Sequence, residues 1–320
     1  MRNTSIELPN TASMMSGADA GPKYLSKSSP GQTRTFSIPI SSRKSRSIPA
    51  TKATQNQGSE VANSSQSKEK SVQINITELA LSADNLSHET WASSYILASL
   101  IHRLDVRFPE TTSNTTPRNT NTRPETVIPI VELGAGTGLV GLTAATCWNQ
   151  KVVLTDLSPI VPGLRANVDV NATLLSAVGA QGVVVDCGTL DWVRPDQLLI
   201  PSEDPSSSAL EEEVFELSNT KAHVLLAADT CYSTEHPRLL SGVILKWLHR
   251  HTEARVVLGT ALRVAYLDEI TELWKRLEEG GMEVVAQGQE EAREQDFDDE
   301  RLVEWSLWRW KESSLPDTAQ

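Results

Sequence analysis

The chain has 320 residues and a mass of 35.0 kDa, with 29 Lys/Arg against 41 Asp/Glu and a net charge of −12. That length accommodates one large domain or two small ones, and the acidic balance argues against a general nucleic-acid binder, which needs positive charge to displace counterions. Three cysteines (Cys147, Cys187, Cys231) and no CxxC pair predict neither a disulfide framework nor structural zinc, and point to a reducing compartment. No run approaches the ~18 apolar residues of a membrane span, and no secretory leader follows Arg2.

Residues 1–70 carry ten Lys/Arg, four Asp/Glu and 21 Ser/Thr, leaving residues 71–320 with a net charge of −18. So polar a segment cannot bury enough surface to offset chain entropy, so 1–70 is expected to be a mostly disordered basic tail. Its basic cluster Arg43, Lys44, Arg46 suits a solvated tail or a targeting signal, and Phe36–Ile40 alternates in the way of a docked edge segment. Residues 71–320 then form one domain with polar insertions at 109–126 and 201–213.

In chain order, apolar residues at helical spacing predict a helix over 91–104. Val127–Leu133, a short apolar run ending in glycines, reads as a buried strand. A helix over Leu139–Trp148, a strand over Lys151–Thr155, a helix over 160–176 and a strand over Val183–Asp186 follow. Ala222–Ala228 is a fourth strand, and the stripe Leu240, Ile244, Trp247, Leu248 gives a helix opened by Pro237. Val256–Thr260 is a fifth strand, 264–279 a helix ended by Gly280-Gly281, and Met282–Gln287 and Leu302–Trp310 two more strands. The alternation implies an α/β, Rossmann-like seven-stranded sheet with helices on both faces. The last two strands have no helix between them, so they form an antiparallel hairpin. Trp305, Trp308 and Trp310 read as core, and the seven carboxylates of 290–300 as a solvated loop or a receiver for a basic surface.

The chemistry begins at Val131-Glu132-Leu133-Gly134-Ala135-Gly136-Thr137-Gly138-Leu139. Glycines there let backbone approach a ligand, and the following helix offers free N–H groups at the carboxyl ends of the strands. A dinucleotide fingerprint needs a third glycine where Leu139 stands, and Glu132 would repel a diphosphate. The same carboxylate would attract a cationic amine or sulfonium. Asp156, 22 residues after Gly134, ends the second strand where a carboxylate takes a ribose diol. A ribose and a positive charge without phosphates describe S-adenosylmethionine. The six histidines show no metal-ligand spacing, so no metal is expected.

Four blocks then resemble the seven-β-strand S-adenosylmethionine-dependent methyltransferases, in their protein-lysine branch, with the closest likeness to fungal-type, nicotinamide N-methyltransferase-like members. They are Glu89–Ser94 with Trp91, Val131–Gly141, Leu190-Asp191-Trp192, and Asp229-Thr230-Cys231-Tyr232. The resemblance implies cofactor contacts at Trp91, Gly134, Ala135, Gly136, Asp156, Trp192 and Ala228. Glu132, Gly138 and Leu157 join this expected cofactor set by their places on the same turn and strand end. Asp229 and Tyr232 would face the acceptor, Asp229 holding or deprotonating an amine and Tyr232 forming a wall that takes a cation on its ring. Taken singly, Trp91 and Trp192 also suit packing, and Asp229 suits a turn. The segment Leu258–Leu262 departs from the pattern of related sequences and leaves acceptor choice open.

The expected activity is methyl transfer to a lysine of a protein. A small-molecule amine acceptor and a non-catalytic cofactor-binding interaction protein are the alternatives. The absence of aromatic residues over 60–90 favours a macromolecular acceptor. The expected partner is a protein with a basic surface rather than nucleic acid or membrane. The protein is expected to act as a monomer in the cytoplasm, with the nucleus also open to it.

Overall fold

The computed structural model describes residues 31–40, 70–83, 86–109, 125–201, 212–293, 297 and 301–316. The chain opens with β1 (Thr33–Pro39), β2 (Ser71–Thr77), β3 (Ser82–Ala83), β4 (Leu86–Ser87) and α1 (Ala92–Leu100). It continues through β5 (Thr126–Leu133), α2 (Leu139–Trp148), β6 (Val152–Asp156), α3 (Val161–Val170), α4 (Ala172–Ser176) and β7 (Val185–Thr189). Then come β8 (Gln197–Pro201), β9 (Glu212–Glu216), β10 (Thr220–Ala228), α5 (His236–Trp247), β11 (Arg255–Ala261), α6 (Leu267–Glu279), β12 (Met282–Glu291) and β13 (Leu302–Trp310).

The main sheet runs β12-β13-β11-β10-β5-β6-β7-β8-β9. Strands β7, β6, β5, β10 and β11 are parallel, and β13 lies antiparallel to both β11 and β12. The seven expected strands form the core of this sheet. The prediction missed β8 and β9, which extend its edge, β8 antiparallel to β7 and β9 antiparallel to β8. They flank the expected 201–213 insertion, so Glu212 and Glu213 are strand rather than loop, while 202–211 and 110–124 lie outside the described residues.

Parallel central strands are buried on both faces, which is why Val224–Ala228 in β10 and Val256–Leu258 in β11 are unbroken apolar runs. One face packs α1, α2 and α3 around Leu97, Leu142 and Leu164. The other packs α5 and α6 around Leu240, Trp247, Leu277, Trp308 and Trp310. Trp308 and Trp310 are thus core, as expected, whereas Trp305 is partly buried. Burial of each such large side chain stabilises by about 1.5–3 kcal/mol. Trp247 also donates its indole N–H to the Pro195 carbonyl at 2.7 Å, which satisfies its one polar atom.

The basic segment contains a strand at 33–39, which corrects the expectation of disorder at 33–35 and agrees with the docked segment expected from Phe36 onward. β1 pairs antiparallel with β2 over seven residues, from Thr33↔Thr77 to Pro39↔Ser71. Alternation turns Phe36, Ile38, Val72, Ile74 and Ile76 inward, and all are buried in the first core. The rest of 1–70 is outside the described residues apart from 31–32, 40 and 70. Asn167 and Asn171 fasten this ribbon. Their side-chain oxygens accept the Thr77 and Asn75 N–H groups at 2.8 and 2.9 Å, and their amides donate to the same residues' carbonyls. Asn171 leaves helical geometry at ψ 6° to do so, and that divides the expected 160–176 helix into α3 and α4.

Two other expected helices begin or end as 3-10 turns, at Ile101–Arg103 after α1 and at Val264–Tyr266 before α6. Strand order reverses between β5 and β10. The carboxyl ends of β5, β6, β7, β10 and β11 therefore meet on one rim, where sheets of this kind bind ligands.

Candidate active site

Leu133 ends β5, and the chain turns through Gly134 and Gly136 at φ of 61° and 54°. Left-handed backbone there suits glycine alone. A Cβ on Gly134 would meet Thr230 Cγ2 at 3.0 Å and Trp192 Cζ2 at 3.2 Å, so the turn is packed between two strand-end loops. A Cβ on Gly136 would meet nothing within 4 Å, because that glycine faces the open cleft.

Asp156, at the end of β6, fixes the turn. Its two carboxylate oxygens accept the Gly136 N–H at 2.8 Å and the Leu157 N–H at 2.7 Å. The carboxylate lines the cleft beside the turn that it holds. Gly134, Ala135, Gly136, Asp156, Leu157, Trp91, Trp192 and Ala228 all line one cleft, as expected from the sequence. An open glycine face, a carboxylate at a strand end and two indoles around one cleft fit an adenosine with its ribose diol.

Glu132 and Gly138, expected as cofactor contacts, do not line that cleft. Glu132 is 2% exposed and accepts the Gly141 N–H at 2.8 Å. That N–H belongs to the first turn of α2, whose N-terminal residue Gly138 has no side chain to cap it. The carboxyl reaching from β5 supplies the missing acceptor. Burial pushes its pKa up to about 8, with nearby Asp156 adding to the rise and the Gly141 N–H opposing it. Such a group is mostly neutral at pH 7, so the expected attraction for a cation does not hold. Gly138 is left-handed at φ 81°, and a Cβ there would sit 2.9 Å from Leu154 Cδ1.

On the other side of the switch point, β10 ends at Ala228 and the chain bends sharply at Asp229. Asp229 has φ 59°, which a non-glycine residue adopts only when its surroundings impose it. Its N–H donates to the Gly259 carbonyl of β11 at 2.8 Å, which holds the bend. Its carboxylate accepts two hydrogen bonds from Arg263, at 2.6 and 2.8 Å. The two side chains are 4% and 11% exposed, so this is a buried, forked ion pair. The Arg263 guanidinium also lies 5.6 Å from the Trp91 ring centroid. Tyr232 lines the same cleft and sets its ring edge-on to His236, with centroids 4.3 Å apart. The Tyr232 N–H donates to His236 Nδ1 at 3.3 Å.

The structure thus brings Asp229 and Tyr232 into one cleft with Asp156 and the glycine turn. Sequence reasoning missed Arg263, His236 and His88. Arg263 lies two residues after β11, beside the segment whose departure from the family pattern was noted, and a cation just past a strand's carboxyl end was its signal. His88 lines the cleft with its Nδ1 accepting the Leu79 N–H at 3.1 Å, so the ring proton sits on Nε2. Burial holds its pKa below the usual value, against opposing effects of the Gly136 backbone and Glu78.

Among known proteins, residues 68–204 match the lysine methyltransferase family. The protein-lysine N-methyltransferase EFM2 of Saccharomyces cerevisiae is 32% identical over 243 residues, which are 73% of this chain and 50% of that protein. The protein-lysine N-methyltransferase rrg1 of Schizosaccharomyces pombe is 30% identical over 241 residues, 75% of this chain and 67% of that protein. Methyltransferase-like protein 22 of Mus musculus is 34% identical over 122 residues, 38% of this chain and 29% of that protein. The chain therefore spans about half the length of the first of these relatives and two thirds of the second. On its fold, its glycine turn and these likenesses, the chain belongs to the lysine methyltransferase family.

Proposed function

We propose that this chain transfers a methyl group from S-adenosylmethionine to a lysine amine of a protein. The observation that carries the reading is the single cleft holding Asp156, the glycine turn, Asp229 and Tyr232. Asp156 would hold the ribose diol, Gly134–Gly136 would present backbone to the cofactor, and Trp91, Leu157 and Trp192 would enclose it. When bound, the cofactor supplies an electrophilic methyl on a sulfonium.

The rest falls to this chain. A lysine amine has an ordinary pKa near 10.4 and must lose a proton before it becomes a nucleophile. Asp229, fixed by its bend and by Arg263, keeps lone pairs that accept an N–H of the amine and orient it. Tyr232 bounds the slot on the side of His236. Alignment of nucleophile and leaving group is the main contribution such a site makes to an in-line displacement. A protein acceptor with a basic surface fits the charge of −18 on residues 71–320, which steers cations toward the chain.

Purified chain incubated with methyl-labelled S-adenosylmethionine and a protein lysate tests the reading. Acid hydrolysis of the labelled protein is expected to yield methylated lysines, with the label lost in Asp229→Ala. Label recovered only in other amino acids, or unaffected by Asp229→Ala, contradicts it.

A further inference from the structure

Asp229 is the carboxylate placed to meet an amine, yet it already holds a cation. Both of its oxygens are hydrogen-bonded by Arg263, at 2.6 and 2.8 Å, with Asp229 buried and Arg263 largely so. Two constraints keep the pair together. The bend at φ 59°, closed by the Asp229 N–H on the Gly259 carbonyl, fixes the carboxylate. The Trp91 ring, 5.6 Å from the guanidinium carbon, bounds Arg263 on another side.

An amine arriving at Asp229 therefore meets a carboxylate already bonded to a guanidinium rather than a bare negative charge. A neutral amine donates one N–H to Asp229 and keeps its lone pair for reaction. An ammonium has no lone pair, loses its hydration in a buried slot, and finds the guanidinium's repulsion set against the carboxylate's attraction. Glu89 and Asp191 also line the cleft, so a variant at Arg263 reads the change in the slot's whole charge.

We propose that Arg263 is a specificity-determining residue which sets the charge of the acceptor slot, so that the site takes a neutral amine in preference to an ammonium. This rests on the methyl-transfer reading above. It assigns to Arg263 the selection of the protonation state that can react.

The test compares two nucleosides by calorimetry on the full chain. S-adenosylhomocysteine carries no charge at the transfer point. Sinefungin carries a protonated primary amine there, on carbon in place of the methylsulfonium. Wild type is expected to bind sinefungin no more tightly than S-adenosylhomocysteine. In Arg263→Gln, which keeps an amide donor for Asp229 but removes the charge, sinefungin is expected to gain about tenfold or more relative to S-adenosylhomocysteine, the scale of a close buried charge pair. Arg263→Lys is expected to stay near wild type.

Should the unbalanced Arg263→Gln protein fail to fold, the same comparison runs between Asp229→Asn and the double variant Asp229→Asn/Arg263→Gln. There, removal of the cation is again expected to favour sinefungin selectively. A sinefungin preference unmoved within about twofold by loss of Arg263, with S-adenosylhomocysteine still bound, overturns the proposal alone. Failure of wild type to bind either nucleoside overturns the methyl-transfer reading and this proposal with it.

Discussion

Asp229 and Arg263 stand 34 residues apart in sequence and join at the cleft rim through two hydrogen bonds of 2.6 and 2.8 Å. Asp229 follows β10 and Arg263 follows β11, so the pair ties together the loops at the ends of two neighbouring parallel strands. It also places a cation beside the carboxylate on which amine recognition depends.

Removing one partner of such a pair strands a buried charge. Asp229→Ala is expected to lose about 3–5 kcal/mol of stability. The double variant Asp229→Asn/Arg263→Gln, which removes both charges and keeps amide hydrogen bonding, is expected to recover most of that loss. Urea denaturation of the wild type, the singles and the double gives the coupling directly.

Glu132 makes stability depend on pH. Its folded pKa of about 8 lies above the unfolded value near 4.5. Between those values the folded state holds a proton that the unfolded state has released, so stability falls as pH rises from about 4.5 to 8 and then levels off. The span corresponds to roughly 3–5 kcal/mol, an order-of-magnitude figure. Glu132→Gln can still accept the Gly141 N–H and does not titrate. Melting temperatures at pH 5 to 8.5 are expected to show the variant gaining on wild type as pH rises. Parallel curves would remove this role.

Much of the fold was legible because buried parallel strands carry continuous apolar runs, and β5 is closed by a glycine turn. β2 escaped although Val72, Ile74 and Ile76 alternate with polar residues, because only its partner across a long polar segment shows that the alternation has a face to bury. β8 and β9 escaped because their apolar runs, Leu198–Ile200 and Val214-Phe215, are only two or three residues long and border a polar insertion. The cofactor rim was legible because it is built from one local motif and from residues at strand ends. Arg263 was not, because its meaning comes from a contact between the ends of two different strands. The Glu132 bond to Gly141 was not legible because spacing gives the distance of a side chain from a turn and not the side of the sheet on which it lies.

Gly141 sits inside α2 against that carboxyl. A Cβ there would lie 2.2 Å from Leu154 Cδ2 and 2.5 Å from Glu132 Oε2. Gly141→Ala gains about 1 kcal/mol of helix propensity but overpacks the core and displaces the Glu132 hydrogen bond. A net loss of about 1–3 kcal/mol is expected, read as a melting temperature lower by about 2–8 °C.

The β1–β2 ribbon is part of the core. Ile38 is fully buried against it, in a segment whose composition reads as a tail. Ile38→Ala is expected to cost about 2–4 kcal/mol, the usual loss for a buried isoleucine. A surface-like effect of under 0.5 kcal/mol in denaturant titrations would mean the strand is not docked.

Titration calorimetry of the purified chain with S-adenosylmethionine, with NADH as the competing ligand class, reaches the central claim most directly. Saturable binding of S-adenosylmethionine alone is predicted. In Asp156→Ala, which loses the acceptor for the diol and for the Gly136 N–H, that binding is predicted to weaken by about 10- to 100-fold, the range of charge-assisted hydrogen bonds. Binding of NADH instead, or S-adenosylmethionine binding indifferent to Asp156→Ala, would contradict the account.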